Sequence, residues 1–215
     1  MKTLVILLTG LFSVFAVRAQ QYLSLGPTAG FGHSWVSMDQ EPSGFDKAFH
    51  ASYNIGAKLV YSIVTNWGLS ADLKFSSEGG TYKSASGNDK LVLRANYIRV
   101  PIQGIYFFGD YGDRVRPKIS TGPSFGFLVG GKSKSIVNEQ TTSETDISNV
   151  MKGFDFGWDF AGGANVRLSR NTWLNADIMY KLGITDISKN ANAMHNRGLG
   201  FNVGVAFGIN GPDLK

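Results

Sequence analysis

A strict alternation of side chains between residues 153 and 168 is the feature of this sequence that most limits its fold. The segment reads GFDFGWDFAGGANVRL, and successive side chains of a strand point to opposite faces. One face would carry Phe154, Phe156, Trp158 and Phe160, and the other Asp155, Asp159 and Arg167. Such a strand suits lipid on one side and a polar interior on the other. Its length exceeds the ~9–11 residues that a tilted strand needs to cross a bilayer, so the segment predicts a membrane β-barrel.

Seven further segments alternate in the same way, which predicts an all-β fold: an eight-stranded antiparallel up-and-down transmembrane β-barrel. They are 21–35, 51–63, 67–77, 94–108, 115–130, 172–185 and 197–209. Short connections alternate with long ones, as short periplasmic turns alternate with longer extracellular loops in outer-membrane barrels. An even strand number then places both termini in the periplasm. A soluble barrel such as a lipocalin would need apolar side chains inside and polar ones outside, which is the reverse of this pattern. The predicted long connections are 36–50, 78–93, 131–152 and 186–196.

The first nineteen residues have the organisation of a secretory signal peptide. Lys2 is followed by an apolar run from Leu4 to Val17 and then by Val17-Arg18-Ala19. A basic start, a short apolar core and small residues before the cleavage point are typical of such peptides. An uncleaved anchor is the alternative, but the run is shorter than the ~20 residues of a spanning helix. We therefore expect residues 1–19 to be a signal peptide cleaved near Ala19, and residues 20–215 to form one outer-membrane barrel domain.

Charge and cysteine content exclude several other classes. Of 21 Lys and Arg residues, Lys2 and Arg18 lie in the signal peptide, which leaves 19 against 16 acidic residues. A net charge of +3 is too balanced to predict a nucleic-acid partner. The sequence has no cysteine, so it has neither a disulfide framework nor a cysteine for a lipid anchor.

Aromatic residues and prolines lie near the predicted strand ends. Trp67 and Trp173 follow short turns, and Tyr106, Phe107 and Phe108 end a strand at the same level, where interfacial aromatic residues belong. Proline removes a hydrogen bond from the strand ladder, so prolines are expected at bulges or at strand ends outside the hydrocarbon layer. The prolines in question are Pro27, Pro101, Pro117 and Pro123, and the alternation does not fix the strand ends near them.

The predicted interior is rich in charge. Buried charges persist only when paired or hydrated, so one interpretation is an ion-pair network that makes the barrel rigid. The alternative is a pathway for protons or small ions. The residues concerned are Lys58, Lys74, Arg99, Arg116, Lys118, Arg167 and Lys181, against Asp72, Asp155, Asp159 and Asp177.

Three histidines lie near the predicted extracellular rim, at His33, His50 and His195. Strand alternation places His33 and His195 on the outer face and His50 on the inner face, which argues against convergence on a metal ion. His33 and Ser34 could form the pair of a lipid-modifying enzyme, but neighbours in a strand face opposite ways. We predict no catalytic, cofactor-binding or metal-binding residues.

Several short motifs together resemble the PorT-like outer-membrane β-barrel family. They are YIRVPI at 97–102, TGP at 121–123 with FGF at 125–127, FDFG at 154–157 with a following Gly-Gly pair, and YKLGI at 180–184. The resemblance covers essentially the whole mature chain and implies an eight-stranded outer-membrane barrel. The namesake of the family is linked to protein secretion by the type IX system, whereas many relatives have no assigned role.

The sequence thus favours a non-enzymatic barrel with a structural or interaction role, and the resemblance implies a role as an accessory to type IX secretion. Its expected partners are outer-membrane lipid and other cell-envelope or secretion proteins, and the pattern does not fix the oligomeric state. The long connection 131–152, rich in Ser and Thr, is the best candidate for partner contact, and a mobile solvated loop is the alternative. A small-solute channel and a lipid-modifying enzyme remain the competing functions.

Overall fold

A computed structural model describes residues 23–41, 43–62, 65–85, 87–110, 112–138 and 140–209. The predicted signal peptide and its cleavage site lie outside the described residues. Within them, no helix is long and apolar enough to cross a membrane. The strands are β1 (Leu23–Met38), β2 (Phe45–Ala48), β3 (Ala51–Ser62), β4 (Trp67–Ser84), β5 (Lys90–Phe107), β6 (Val115–Val137), β7 (Gln140–Asp146), β8 (Phe154–Ser169), β9 (Thr172–Gly183) and β10 (Met194–Ile209), with a 3-10 turn at Ile147–Asn149.

Eight of these strands form a closed ring, which confirms the predicted barrel. The order around the ring is β4, β3, β1, β10, β9, β8, β6 and β5, and β5 pairs with β4 to close it. All pairings are antiparallel. Two short strands lie outside the ring, because β2 pairs only with β4 and β7 only with β6. We call the end with the long connections the loop end, and the end with the short turns, where β1 begins and β10 ends, the turn end.

Side-chain burial confirms the predicted inner and outer faces. On β8, Asp155 and Asp159 are each 1% exposed, whereas Phe154 and Phe160 are 44% and 45% exposed. The same alternation holds around the ring, with apolar side chains on the outer wall and polar ones inside. This distribution is that of a transmembrane barrel and opposite to that of a lipocalin.

Strands β4, β5 and β6 extend farthest beyond the predicted ends, so the predicted long loops 78–93 and 131–152 are wrong. Strand β4 continues to Ser84 and β5 begins at Lys90, which leaves only 85–89 as the connection. Strand β6 continues to Val137 and pairs with β7 to form a hairpin within the predicted loop 131–152. At the loop end, β2, β4, β5, β6 and β7 therefore form a sheet that continues the barrel wall beyond its apolar band. We call this sheet the sheet extension.

A β-bulge marks the start of this extension. The pairing of β5 with β6 shifts register at Asn96/Tyr97, so that Tyr97 pairs with Leu128 and Asn96 with Gly130. Gly130 and Gly131 have φ angles of +150° and +143°, a conformation that side-chain-bearing residues rarely adopt. Because one extra residue lies in β6, the face of each following residue is reversed.

Three of the four prolines are neither at bulges nor at strand ends, contrary to expectation, whereas Pro117 lies near the start of β6. Pro27, Pro101 and Pro123 lie within strands, and Pro117 is the third residue of β6. Proline has no N–H to donate, and the ladder is interrupted on one side of each interior proline while the other side stays paired. The gaps fall between Leu25↔Phe207 and Thr28↔Gly204, between Ala71↔Ile102 and Lys74↔Arg99, and between Pro101↔Ser124 and Gly104↔Thr121.

Aromatic side chains at the turn end divide between the two faces. Trp67, Tyr106 and Phe108 face outward and pack edge to face, with ring centroids 5.0 and 5.1 Å apart, as expected for interfacial residues. Phe107 instead points into the barrel and is 1% exposed. Trp173 pairs with Arg167 and Ala206 on the inner face, so the predicted interfacial positions of Phe107 and Trp173 are wrong.

Candidate functional site

The best-connected polar group in the barrel interior is an ionic cluster formed by Glu78, Arg99, Asp155 and Lys181. Arg99 donates from Nε to Glu78 Oε1 at 2.7 Å and from Nη2 to Glu78 Oε2 at 2.6 Å. The same Nη2 contacts Asp155 Oδ2, and Lys181 Nζ contacts Glu78 Oε1. Two cations thus meet two anions from four strands of the ring, which ties opposite walls together.

Neutral side chains complete this cluster. Asn196 donates from Nδ2 to Asp155 Oδ2 at 2.9 Å, and Ser76 donates to Glu78 Oε1 at 2.7 Å. The Tyr97 ring lies 4.7 Å from Arg99 Cζ, which is within the range of a cation–π interaction. Buried charges are stable only when their remaining hydrogen-bonding groups are satisfied, and these neighbours provide most of that satisfaction.

A second group of charges lies nearer the turn end. Lys74 pairs with Asp72 at 3.0 Å and Lys118 with Asp177 at 3.0 Å. Lys58 lies between the two carboxylates, 3.8 Å from Asp72 and 3.7 Å from Asp177. Three lysines therefore share two aspartates, which supports the predicted ion-pair network over a set of isolated charges.

Two of the charged residues predicted in the interior, Asp159 and Arg167, form no ion pair with the described residues. Asp159 is 1% exposed and its Oδ1 has no hydrogen-bond partner. Within the residues that the structure covers, no ion pair includes Asp159 or Arg167. Arg116 takes a different partner, since its Cζ lies 4.4 Å from the Phe107 ring centroid and its Nη2 donates to the Thr65 carbonyl.

Apolar side chains close both ends of this polar interior. At the turn end, Val60, Ile105 and Phe107 form a buried cluster. At the loop end a larger apolar cluster, which we call the cap, lies above the ionic cluster. The cap consists of Val36, Tyr82, Leu93, Ala95, Tyr97, Ile147, Met151, Ile187 and Met194.

The interior between these closures is nearly filled. Two cavities there, both lined in part by Asn54, Ser76 and Lys181, have volumes of about 40 and 10 Å³. A single water molecule needs roughly 10–15 Å³, so these spaces fit a few waters at most. An eight-stranded barrel is expected to be filled by its own side chains, and the described interior side chains around these two spaces agree with that expectation.

Two connections at the loop end, the 147–153 segment and the β9–β10 connection, pack against the cap and against each other. The 3-10 turn contributes Ile147, which is fully buried in the cap. Lys152 donates to Asp186 Oδ2 at 2.6 Å, and the backbone amides of Ser188 and Met194 donate to Asp186 Oδ1 at 2.8 and 3.0 Å. The ammonium of Lys152, together with these amides, lowers the pKa of Asp186 to about 2. Asp186 therefore fastens the 147–153 segment to the β9–β10 connection.

His33 occupies the outer face that alternation predicts, and His50 is buried beside it. His33 faces outward and stacks on Trp35 and Phe49, with ring centroids 5.2 and 5.0 Å apart. His50 is 2% exposed, and its Nδ1 lies 2.9 Å from the hydroxyl of Thr81, which pairs with Val92 of β5. Burial, reinforced by the nearby Arg94, lowers the pKa of His50 to about 4. Across the described ranges, no group of three His, Cys, Asp or Glu side chains is arranged to hold a metal ion.

The proposed enzymatic pair is not assembled. Ser34 is 3% exposed on the inner face and His33 lies on the outer face. The His33 Nδ1 atom accepts a hydrogen bond from the backbone amide of His50 at 3.1 Å. His33 is therefore not placed to act as a base for the Ser34 hydroxyl.

Glu78 is the main interior residue that the sequence did not reveal. It lies in a run of small and polar residues, SSEGGT at 76–81, which is typical of a loop. Tyr97 and Asn196 were missed as well, and both contact the ionic cluster. The alternation of β4 could have predicted the inward position of Glu78. The side chain continues the inward-facing series of even-numbered residues Ser70, Asp72, Lys74 and Ser76.

Comparisons with known proteins agree with this architecture. The family model described as outer membrane protein beta-barrel domain matches residues 18–189. No curated protein matches the chain. Among solved structures, the fold is similar to Neisserial surface protein A (16% identity, 86% of this chain and 96% of that chain, TM-score 0.45). It is also similar to the N-terminal barrel domain of Pseudomonas aeruginosa OprF (15%, 85% and 98%, TM-score 0.41) and to Yersinia pestis Ail (12%, 87% and 98%, TM-score 0.45).

Proposed function

The chain belongs to the outer membrane protein beta-barrel domain family, and we propose that it is a non-conducting barrel that binds another cell-envelope protein at its loop end. The observation that carries the proposal is the cap, which covers the ionic cluster with buried apolar side chains. A transport pathway would need a hydrated route past these side chains. A barrel that is filled and capped is instead suited to hold a surface in a fixed position.

The surface it holds is the sheet extension at the loop end. Strand β7 pairs with β6 along one edge only, and all seven of its residues are exposed. An edge strand presents unpaired backbone groups to which an extended partner segment can add. The sequence QTTSETD is polar, which favours a reversible protein contact over aggregation.

The proposal includes an orientation. Signal-peptide cleavage near Ala19 would deliver the mature chain to the periplasm, and insertion from there leaves the short turns and both termini on the periplasmic side. The loop end, with β7 and the cap, is then extracellular.

A role as an accessory to type IX protein secretion is the finer part of the proposal. Its support is the resemblance of YIRVPI, TGP, FDFG and YKLGI to the PorT-like family, together with a barrel that offers a fixed docking surface. A barrel with no pathway of its own would act by holding a component of the secretion machinery and not by translocating cargo.

Site-specific cross-linking in native membranes tests both parts. A photoreactive residue at Thr142 or Ser143 of β7 should capture a cell-envelope protein, which mass spectrometry identifies. The matched control is the same residue at Asn171 in a turn-end connection. Capture of a secretion component at β7 alone supports the accessory role. Equal capture at Asn171, or no capture at β7, contradicts binding through the loop end.

A further inference from the structure

An outward-facing basic groove on the sheet extension points to a lipid-binding function. The groove has a volume of about 540 Å³ and lies on the outer wall of β5 and β6. We propose that it binds the phosphate group of an anionic phosphorylated lipid in the leaflet at the loop end. Its lining includes Val92, Arg94, Asn96, Lys132, Lys134 and Asp146.

The bulge in β6 creates the groove. Before the bulge, even-numbered residues of β6 such as Lys118 and Ser124 face the interior and are buried. After it, Lys132 pairs with Arg94 and Lys134 with Val92 on the outer face. Without the extra residue both lysines would point into the barrel. The bulge therefore gathers three cations on one outward surface.

The groove lies directly above the lipid-facing wall. Ile98 and Phe127 form an outward pair four residues from Arg94 toward the turn end, a distance of about 13 Å along the strand. Phe127 is 48% exposed, as expected for a side chain in contact with acyl chains. A lipid whose phosphate occupied the groove would thus place its acyl chains on this wall.

The three cations of the groove are held in place, but their ion pairs are exposed and weak. Arg94 Nη1 donates to the buried Ser77 hydroxyl at 3.2 Å, which fixes the guanidinium at the wall. Lys132 and Lys134 both pair with Glu144, Lys134 at 2.9 Å, and the three side chains are between 35% and 60% exposed. Asp146 is occupied by the Ser148 backbone amide and hydroxyl. Exposed pairs contribute little stability, so a phosphate group can compete with Glu144 for both lysines.

The position of the groove relative to the membrane favours a lipid phosphate over free phosphate. A charged group in the hydrocarbon layer is costly, so Arg94 marks the level at which lipid head groups begin. Lipid phosphates are concentrated at that level, and basic residues there attract anionic head groups. Under the proposed orientation, the head groups at this level belong to the outer leaflet. The choice of leaflet therefore rests on the proposed function, whereas phosphate binding by the groove's basic residues does not.

Lipid retention by the purified chain tests the proposal. The chain would be reconstituted in phosphatidylcholine vesicles that contain bisphosphorylated lipid A, extracted in mild detergent and examined by native mass spectrometry for bound lipid. We expect retention of lipid A and at least tenfold less of its dephosphorylated form. The double variant Arg94→Gln/Lys132→Gln should lose about 25-fold in retention, because each basic residue at a membrane surface adds roughly a factor of five to binding.

Two further variants keep the test decisive. Arg197→Gln removes one outward cation on the opposite side of the barrel and should leave retention unchanged. Glu144→Gln frees both lysines and should increase it. Equal retention of dephosphorylated lipid, equal loss in Arg197→Gln, or displacement of the lipid by an equal concentration of inorganic phosphate would each overturn the proposal. Loop-end accessibility to protease in intact cells tests the orientation separately.

Discussion

Asp155 and Asp159 lie four residues apart on the inner face of β8 and are equally buried, but among the described residues only Asp155 has an ionic partner. Asp155 contacts Arg99 and accepts a hydrogen bond from Asn196, whereas the Oδ1 of Asp159 has no partner. Both side chains are 1% exposed. The same residue type in the same strand therefore has different surroundings, and we expect the two carboxylates to contribute differently to stability.

Neutralising these two aspartates should separate the roles. Asp155→Asn leaves the Glu78 carboxylate to compensate both buried cations of the ionic cluster, Arg99 and Lys181, and we expect a loss of about 3 kcal/mol in the free energy of unfolding. Asp159→Asn removes a buried charge without an ion pair, so its effect should stay within about 1 kcal/mol, of either sign. Urea unfolding from lipid vesicles measures both. Equal losses in the two variants would contradict the assignment.

The sequence predicted this interior only in part. Alternation placed Asp155, Asp159, Arg99 and Lys181 on the inner face correctly, because the side-chain period of a strand is fixed by its geometry. Which charges pair depends on strand stagger across the ring, and that is set by pairings between segments distant in sequence. Periodicity within one strand contains no information about that stagger, so it could not distinguish Asp155 from Asp159.

The loop end was predicted less well than the barrel, for two physical reasons. The run around Glu78 has the small and polar composition of a loop, but its backbone groups are paired with β5, and pairing overrides local preference. The bulge at Gly130 reverses the faces of Lys132 and Lys134, so extrapolated alternation would have placed them inside. The glycines were visible in the sequence, but the register shift they permit was not.

Glu78 should be more important to stability than any surface carboxylate. It receives two hydrogen bonds from Arg99 and one from Ser76, and it also contacts Lys181. Replacing it by Gln would leave two buried cations poorly compensated, at a cost of about 3 kcal/mol or more in unfolding free energy. The matched control is Glu144→Gln, whose exposed ion pairs contribute at most about 1 kcal/mol. A Glu78→Gln loss no larger than that of the control would show that the cluster does not stabilise the barrel.

The filled interior predicts electrical silence. The purified chain inserted in a planar bilayer should give no step-like conductance, because the cap and the Val60, Ile105 and Phe107 cluster close the two ends. Phe107→Ala should remain silent, since the ionic cluster and the cap are intact in that variant. A general porin in the same bilayer is the control for detection. Regular openings of the unmodified chain would restore the channel hypothesis.

Acid should loosen the loop end through Asp186. The pKa of this carboxyl is lowered from its ordinary 3.8 to about 2, so its contribution to stability is complete above pH 3.8 and is lost as the pH falls through about 2. Its side chain is 34% exposed, and solvent screening limits the contribution to about 1 kcal/mol. Asp186→Asn should show faster exchange of the Ser188 and Met194 amides at neutral pH. Near pH 2 its exchange should approach that of the unmodified chain at the same pH, and a difference that persists there would contradict the linkage.

Ile147 tests whether the 131–152 segment is packed or a mobile loop. Its side chain is fully buried in the cap, whereas Val137 on the same segment is 36% exposed. Ile147→Ala should cost about 2–4 kcal/mol locally, because it leaves a cavity among Met151, Ile187 and their neighbours. Val137→Ala should cost less than about 1 kcal/mol.

The measurement for Ile147 is limited proteolysis of the chain in vesicles, followed by an unboiled denaturing gel. We expect faster cleavage within 138–152 in Ile147→Ala and unchanged heat-dependent mobility of the barrel, since the ring of eight strands does not include this segment. If the unmodified chain is cleaved there as fast as the variant, the segment is not held by the cap. If the barrel's mobility changes together with cleavage, the cap and the ring unfold as one unit, and the surface presented by β7 cannot be altered without loss of the barrel.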